Sequence, residues 1–114
     1  MALAATAKVL GGADTYALSP NVKRYTLRDT GFMETKNGNF QLEQPLNGVS
    51  PYAGGFKLKI TVSKELQKLK MSVTDASGLH PMNIFKDLEK TGTIVEQFNY
   101  VIQNLLDREV LIVK

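Results

Sequence analysis

His80 is the one histidine of the chain, and there is no cysteine. Most of the side chains that carry nucleophilic, redox and soft-metal chemistry are therefore absent from the start. A histidine acting as general base needs a nucleophile and an orienting acid beside it, and no motif nominates either. Leu79-His80-Pro81 reads as a strand residue before a proline-marked bend, so His80 is expected to be structural or solvent-exposed. Without a thiol there can be no disulfide, thiolate-bound zinc, cysteine-ligated cluster, cysteine nucleophile or persulfide carriage. The acids Asp29, Glu34, Glu43, Asp75, Asp87 and Glu89 are scattered. They match neither the spacing of a calcium loop nor a His-Glu-x-x-His helix, and nothing cues an acid–base pair. Gly11-Gly12 and Gly54-Gly55 lack the lysine or the third spaced glycine that a phosphate cradle needs. They read as turns. No catalytic residue, metal site or cofactor is expected, and the chain is read as a non-enzyme.

The residues with most functional content are lysines. Lys57, Lys59, Lys68 and Lys70 fall on one side of two adjacent alternating segments, with Lys64 at their connection and only Glu65 opposing them between 57 and 70. Such a face can neutralise phosphates and release counterions. Readers of single strands add aromatic platforms, and this outward face carries none. The competing reading is a solvated face whose lysines discourage edge-to-edge aggregation.

These residues need elements to hold them. Over 3–10, Leu3, Ala5, Ala7 and Val9 alternate with Thr6 and Lys8, the pattern of a half-buried strand; Tyr16 to Leu18 returns beside it. Ser19-Pro20 suggests a cap and first helical residue, hence a short helix at 20–28 that Gly31 stops. The Asn37-Gly38 pair suits a two-residue type I′ turn. It would set Thr35 against Phe40, Glu34 against Gln41 and Met33 against Leu42, with Met33 in the core and Phe32 among the polar set. Residues 45–55, rich in proline and glycine, read as a loop. Phe56, Leu58, Ile60 and Val62 then alternate with Lys57, Lys59 and Thr61, and Leu69, Met71 and Val73 repeat the pattern. Residues 79–85 read as a further strand that Pro81 pushes to an edge or bulge. Thr93-Ile-Val-Glu96 fits a capping box, opening a helix with the stripe Val95, Phe98, Ile102, Leu105 and Leu106. Residues 110–113 suit either more helix or a strand.

Strands followed by a terminal amphipathic helix indicate an α+β domain: a curved antiparallel sheet of about five or six strands, covered on one face by the helices. One domain over 1–114 is expected at this length. The ordinary 43% hydrophobic and 22% charged composition lets a core form unaided. The start lacks a secretory pattern, and no window reaches ~18 uninterrupted apolar residues, so a cytoplasmic protein without membrane contact is expected. The net charge of +3 decides nothing alone. The C-terminal helix, even with the short one near Pro20, is expected to leave part of the apolar sheet face uncovered, and such surface is buried in a dimer or against a partner. Tyr16, Tyr52 and Phe56 are candidate anchors there.

The run from Leu18 to Glu43, above all Tyr25 to Glu43, together with Phe56 to Val62 and Met82-Asn-Ile-Phe85, resembles a small family of lactic acid bacteria, a domain of unknown function. The resemblance implies a fold of the TATA-binding-protein-like class and genes often placed beside a cysteine desulfurase. It supplies no functional residues. Lacking a thiol, the chain would serve such an enzyme only as a binder or modulator. The expected function is non-catalytic protein binding, with a cysteine desulfurase or a second copy of the chain as partner. Nucleic-acid binding, to tRNA, through the lysine face is the alternative, followed by a small ligand held between sheet and helix.

Overall fold

The computed structural model describes residues 3–9, 14–46, 56–75 and 88–113. Among these described residues seven strands and two helices follow in the order β1 (Thr6–Ala7), β2 (Tyr16–Leu18), α1 (Arg24–Asp29), β3 (Met33–Glu34), β4 (Phe40–Leu46), β5 (Phe56–Val62), β6 (Leu69–Asp75), α2 (Leu88–Asp107) and β7 (Leu111–Val113). The α+β class and antiparallel pairing are as the alternation indicates. The strands form two sheets, β1-β2-β7 and β3-β4-β5-β6, rather than one sheet of five or six. A two-residue bridge joins them: Ala4 donates to the Leu69 carbonyl at 3.0 Å, and Leu69 donates back at 2.8 Å. The first segment therefore bends at Ala5, which is exposed, and serves both sheets instead of running as one strand.

Directly paired residues share a face. The inner face of the larger sheet carries Phe40, Val62 and Leu69 in one row, Leu42, Ile60 and Met71 in the next, and Leu58 with Val73 in a third. All eight are buried. They join one core with Leu27 of α1 and the α2 stripe Ile94, Phe98, Ile102 and Leu105. The apolar face is thus covered, against the expectation of a spare one. Besides the α2 stripe, Leu27 of α1 and Val110 and Leu111 at the end of the chain fill the same core. Because α2 begins at Leu88, Thr93 and Glu96 lie inside the helix rather than at its cap. Among the described side chains of the helix Ile94 is buried, and Val95 packs half-buried against the core. Strand β4 runs through Leu46, so Pro45 is a strand residue; residues 47–55, the segment 79–85, His80 and the two glycine doublets lie outside the described residues.

Both helices stop by the same device. After α1, Gly31 takes φ +105°, Gly31 N–H donates to the Arg28 carbonyl, and Phe32 N–H reaches the Leu27 carbonyl at 2.9 Å. After α2, Glu109 takes φ +59°, its N–H donates to Leu106, and Val110 N–H reaches Leu105 at 2.9 Å. These paired bonds satisfy the last free carbonyls, and each is closed by an apolar residue one place later, Phe32 or Val110, both buried. Residues 110–113 resolve accordingly: the chain turns back and pairs β7 antiparallel to β2. A Cβ on Gly31 would also lie 3.2 Å from Leu42 Cδ1. Gly31→Ala is expected to cost about 1–3 kcal/mol, whereas Glu109→Gly should gain about 0.5–1 kcal/mol by relieving the same backbone region. Urea midpoints moving in opposite directions check the pair.

The helix expected at 20–28 starts only at Arg24. Ser19 N–H pairs with the Val110 carbonyl, extending the β2–β7 ladder, and the Ser19 hydroxyl then accepts from Asn21 N–H at 3.1 Å. That makes Ser19-Pro20 a turn. No side chain caps α1 at Lys23.

The hairpin between β3 and β4 is present, one residue out of the expected register. Met33 lies opposite Gln41 and Glu34 opposite Phe40, with Thr35 donating to Asn39 at 2.7 Å and Gly38 donating to Thr35 at 2.9 Å. Lys36, Asn37 and Gly38 form the loop, and Gly38 (φ +86°) supplies the left-handed residue of a three-residue hairpin. The slip exchanges the faces. Met33 is 74% exposed and Phe32 is buried.

Candidate functional site

The outer face of the larger sheet follows from the same registers. Its rows are Met33, Gln41, Thr61 and Lys70; then Glu43, Lys59 and Ser72; then Pro45, Lys57 and Thr74. Alternation in β5 and β6 turns the lysines out because Leu58, Ile60, Met71 and Val73 are drawn into the core. Three of the four nominated lysines, Lys57, Lys59 and Lys70, do share this face. Lys68 does not belong to the strands. It sits in the β5–β6 turn, where its N–H donates to Ser63 Oγ at 3.1 Å and its carbonyl accepts from Ser63 N–H at 2.8 Å.

The lysines are not an unbroken cationic row. Glu43 of β4 lies directly opposite Lys59 and accepts from Lys57 Nζ at 3.0 Å. The bond from Lys57 holds the Glu43 carboxyl below the ordinary glutamate range, slight desolvation opposes this, and the charges of Lys57 and Lys59 add to it. A depressed value in the folded state means a stabilisation present above the unfolded carboxyl's range and lost as pH falls through the folded one. It is small, since both side chains are substantially exposed. In a carboxyl-carbon NMR titration the Glu43 midpoint should rise towards the ordinary range in Lys57→Gln; an unmoved midpoint would remove the pairing. Sequence reading nominated the lysines but missed Glu43 as their partner. The register across residues 47–55 brings it there, and no local pattern announces that.

Two further acids form exposed ion pairs. Glu34 meets Arg28 at 3.4 Å and Asp29 meets Arg108 at 3.7 Å. Among the described residues no group of three or more acids or histidines could hold a metal ion. Of the proposed anchors, Tyr16 is buried in the core, where burial, and secondarily the Asp14 carboxylate, pushes its hydroxyl pKa up. Phe56 packs half-buried against the core, and Tyr52 lies outside the described residues. Among the described residues the exposed aromatics are Tyr25 and Tyr100 instead. Between β4 and α2 there is an open groove of about 290 Å³ lined by Gln44, Leu46, Glu96, Gln97, Tyr100 and Val101. It is a surface groove, not a cavity enclosed between sheet and helix. No described helix is long and apolar enough to cross a membrane.

Fold and face together define an α+β antiparallel-sheet protein with a polar, mixed-charge outer face. The chain belongs to the DUF1831 family, whose model matches residues 1–112 and carries the description "Putative amino acid metabolism". It is similar to a DUF1831 family protein of Lactobacillus plantarum, known from a crystal structure, at 40% identity over 100% of this chain and 99% of that one, with a TM-score of 0.89. No curated protein matches the chain.

Proposed function

We propose that this chain is a non-catalytic binding protein that uses the outer face of β4, β5 and β6 to engage another protein, one that handles an amino acid. The observation that carries this is Glu43 set between Lys57 and Lys59. A row of cations alone suits any polyanion, but a carboxylate held ionised among them repels phosphates. It complements a surface that itself carries both signs, and such patterning gives protein interfaces their specificity. Among the described residues the face carries no aromatic platform for bases, which further favours a protein over tRNA at this surface. The partner's chemistry is supported by the family description and by the desulfurase genes that the sequence resemblance implies. A cysteine desulfurase works on an amino acid, and a chain without thiols would meet it by contact alone.

Isothermal titration of the purified chain into a purified cysteine desulfurase, at two ionic strengths, tests this. Saturable binding that weakens with salt is expected. Absence of heat at both strengths, or sedimentation of the chain alone as a dimer that buries this face, would refute it.

A further inference from the structure

The fold brings together a second basic surface that the sequence disperses over residues 23–68. The Arg24 guanidinium, at the start of α1, donates to the Lys64 carbonyl at 3.3 Å. Lys64 N–H in turn donates to Asn39 Oδ1 at 3.2 Å, and the Lys64 side chain lies over Gly38, 3.5 Å from where a Cβ would stand. Three chain segments therefore meet at one corner: the entry to α1 with Lys23 and Arg24, the β3–β4 turn with Lys36, and the β5–β6 turn with Lys64 and Lys68. All five cations are exposed. The acid within these segments is Glu65, and Glu34 nearby is occupied by Arg28. Tyr25 follows Arg24 on α1. Leu27 points into the core, so Tyr25, about 200° away around the helix, faces solvent and is 67% exposed.

We infer that this corner is a binding site for single-stranded nucleic acid. Its turn cations contact successive phosphates, and the Tyr25 ring stacks on an unpaired base. The inference goes beyond the protein contact proposed for the sheet face and uses different residues. Cations alone would fit an acidic polypeptide as well. The exposed ring beside them favours nucleic acid, because a base stacks on an aromatic face whatever its identity, whereas an acidic chain gains nothing from it. A single strand is favoured because stacking on the ring needs an unpaired base, and the corner presents no helix long enough to lie in a groove.

The test is fluorescence anisotropy with a 5′-labelled uridine oligonucleotide and the full chain across a series of KCl concentrations. Binding should weaken with salt, the logarithmic slope being about −0.7 for each phosphate neutralised. The double variant Lys36→Gln/Lys64→Gln should reduce that slope by about 1.4. Tyr25→Ala should weaken binding by about tenfold at fixed salt while leaving the slope alone. Lys57→Gln/Lys59→Gln, on the sheet face, should change neither, which separates failure here from failure of the protein-contact reading. Thermal melting of each variant, expected unchanged at these exposed sites, confirms folding. Three results would overturn the inference: no binding at low salt, binding indifferent to the corner variants, or a Tyr25→Ala protein of wild-type affinity whose RNA polyglutamate displaces at equal charge. The last would make the corner a site for acidic protein.

Discussion

Ile60→Ala is expected to destabilise the protein by about 2–5 kcal/mol. Ile60 is fully buried on β5, between Leu42 of β4 and Met71 of β6. Its strand is hydrogen-bonded on both sides, so the backbone cannot collapse into the space that the lost methyl and methylene groups leave. The cost therefore combines lost transfer energy with a persistent cavity. At this size each kcal/mol lowers the melting temperature by about 4 °C, which puts the expected drop at about 8–20 °C. The adjacent Thr61→Ala points outward and should stay within about 0.5 kcal/mol of wild type. Urea unfolding of the two variants measures this directly. Comparable losses at positions 60 and 61 would mean that the assigned faces are wrong.

The second large effect is on binding. Lys59→Glu places a carboxylate directly opposite Glu43. The face then loses its net positive charge: Lys57 and Lys70 are left to balance two carboxylates that stand side by side. Juxtaposed like charges across an interface cost several kcal/mol, so partner affinity should fall at least ~30-fold, about 2 kcal/mol. Folding should change little, because the site is on the surface. Titration against the desulfurase reads the affinity, and circular dichroism reads the fold. Glu43→Gln should act the other way on selectivity. It removes the one fixed negative charge among these lysines and should raise unspecific binding to polyanions.

How much of this was legible in the residues depends on distance along the chain. The alternation in Phe56–Val62 and Leu69–Asp75 fixes both faces of those strands without further help, and Gly31 marks the end of α1 as its chemistry suggests. The hairpin register was not legible, because Lys36-Asn37-Gly38 suits a two-residue or a three-residue loop equally. What decides is Phe32, drawn into the core by the helix stop that Gly31 creates, which leaves Met33 to solvent. The start of α2 was misplaced because a capping-box pattern is local, and the helix runs through it from Leu88. Of the candidate site, the three lysines on one face could be read directly. Glu43 among them, and the meeting of Arg24 with Lys64, depend on pairings between distant segments that periodicity does not encode.

Amide chemical shifts of the isotope-labelled chain, followed while unlabelled cysteine desulfurase is added, report which residues the partner touches. The account predicts progressive shifts at Glu43, Lys57, Lys59, Thr61 and Ser72, with Tyr100 and Val101 unmoved. A spectrum that stays still, or shifts confined to the groove beside α2, would contradict it.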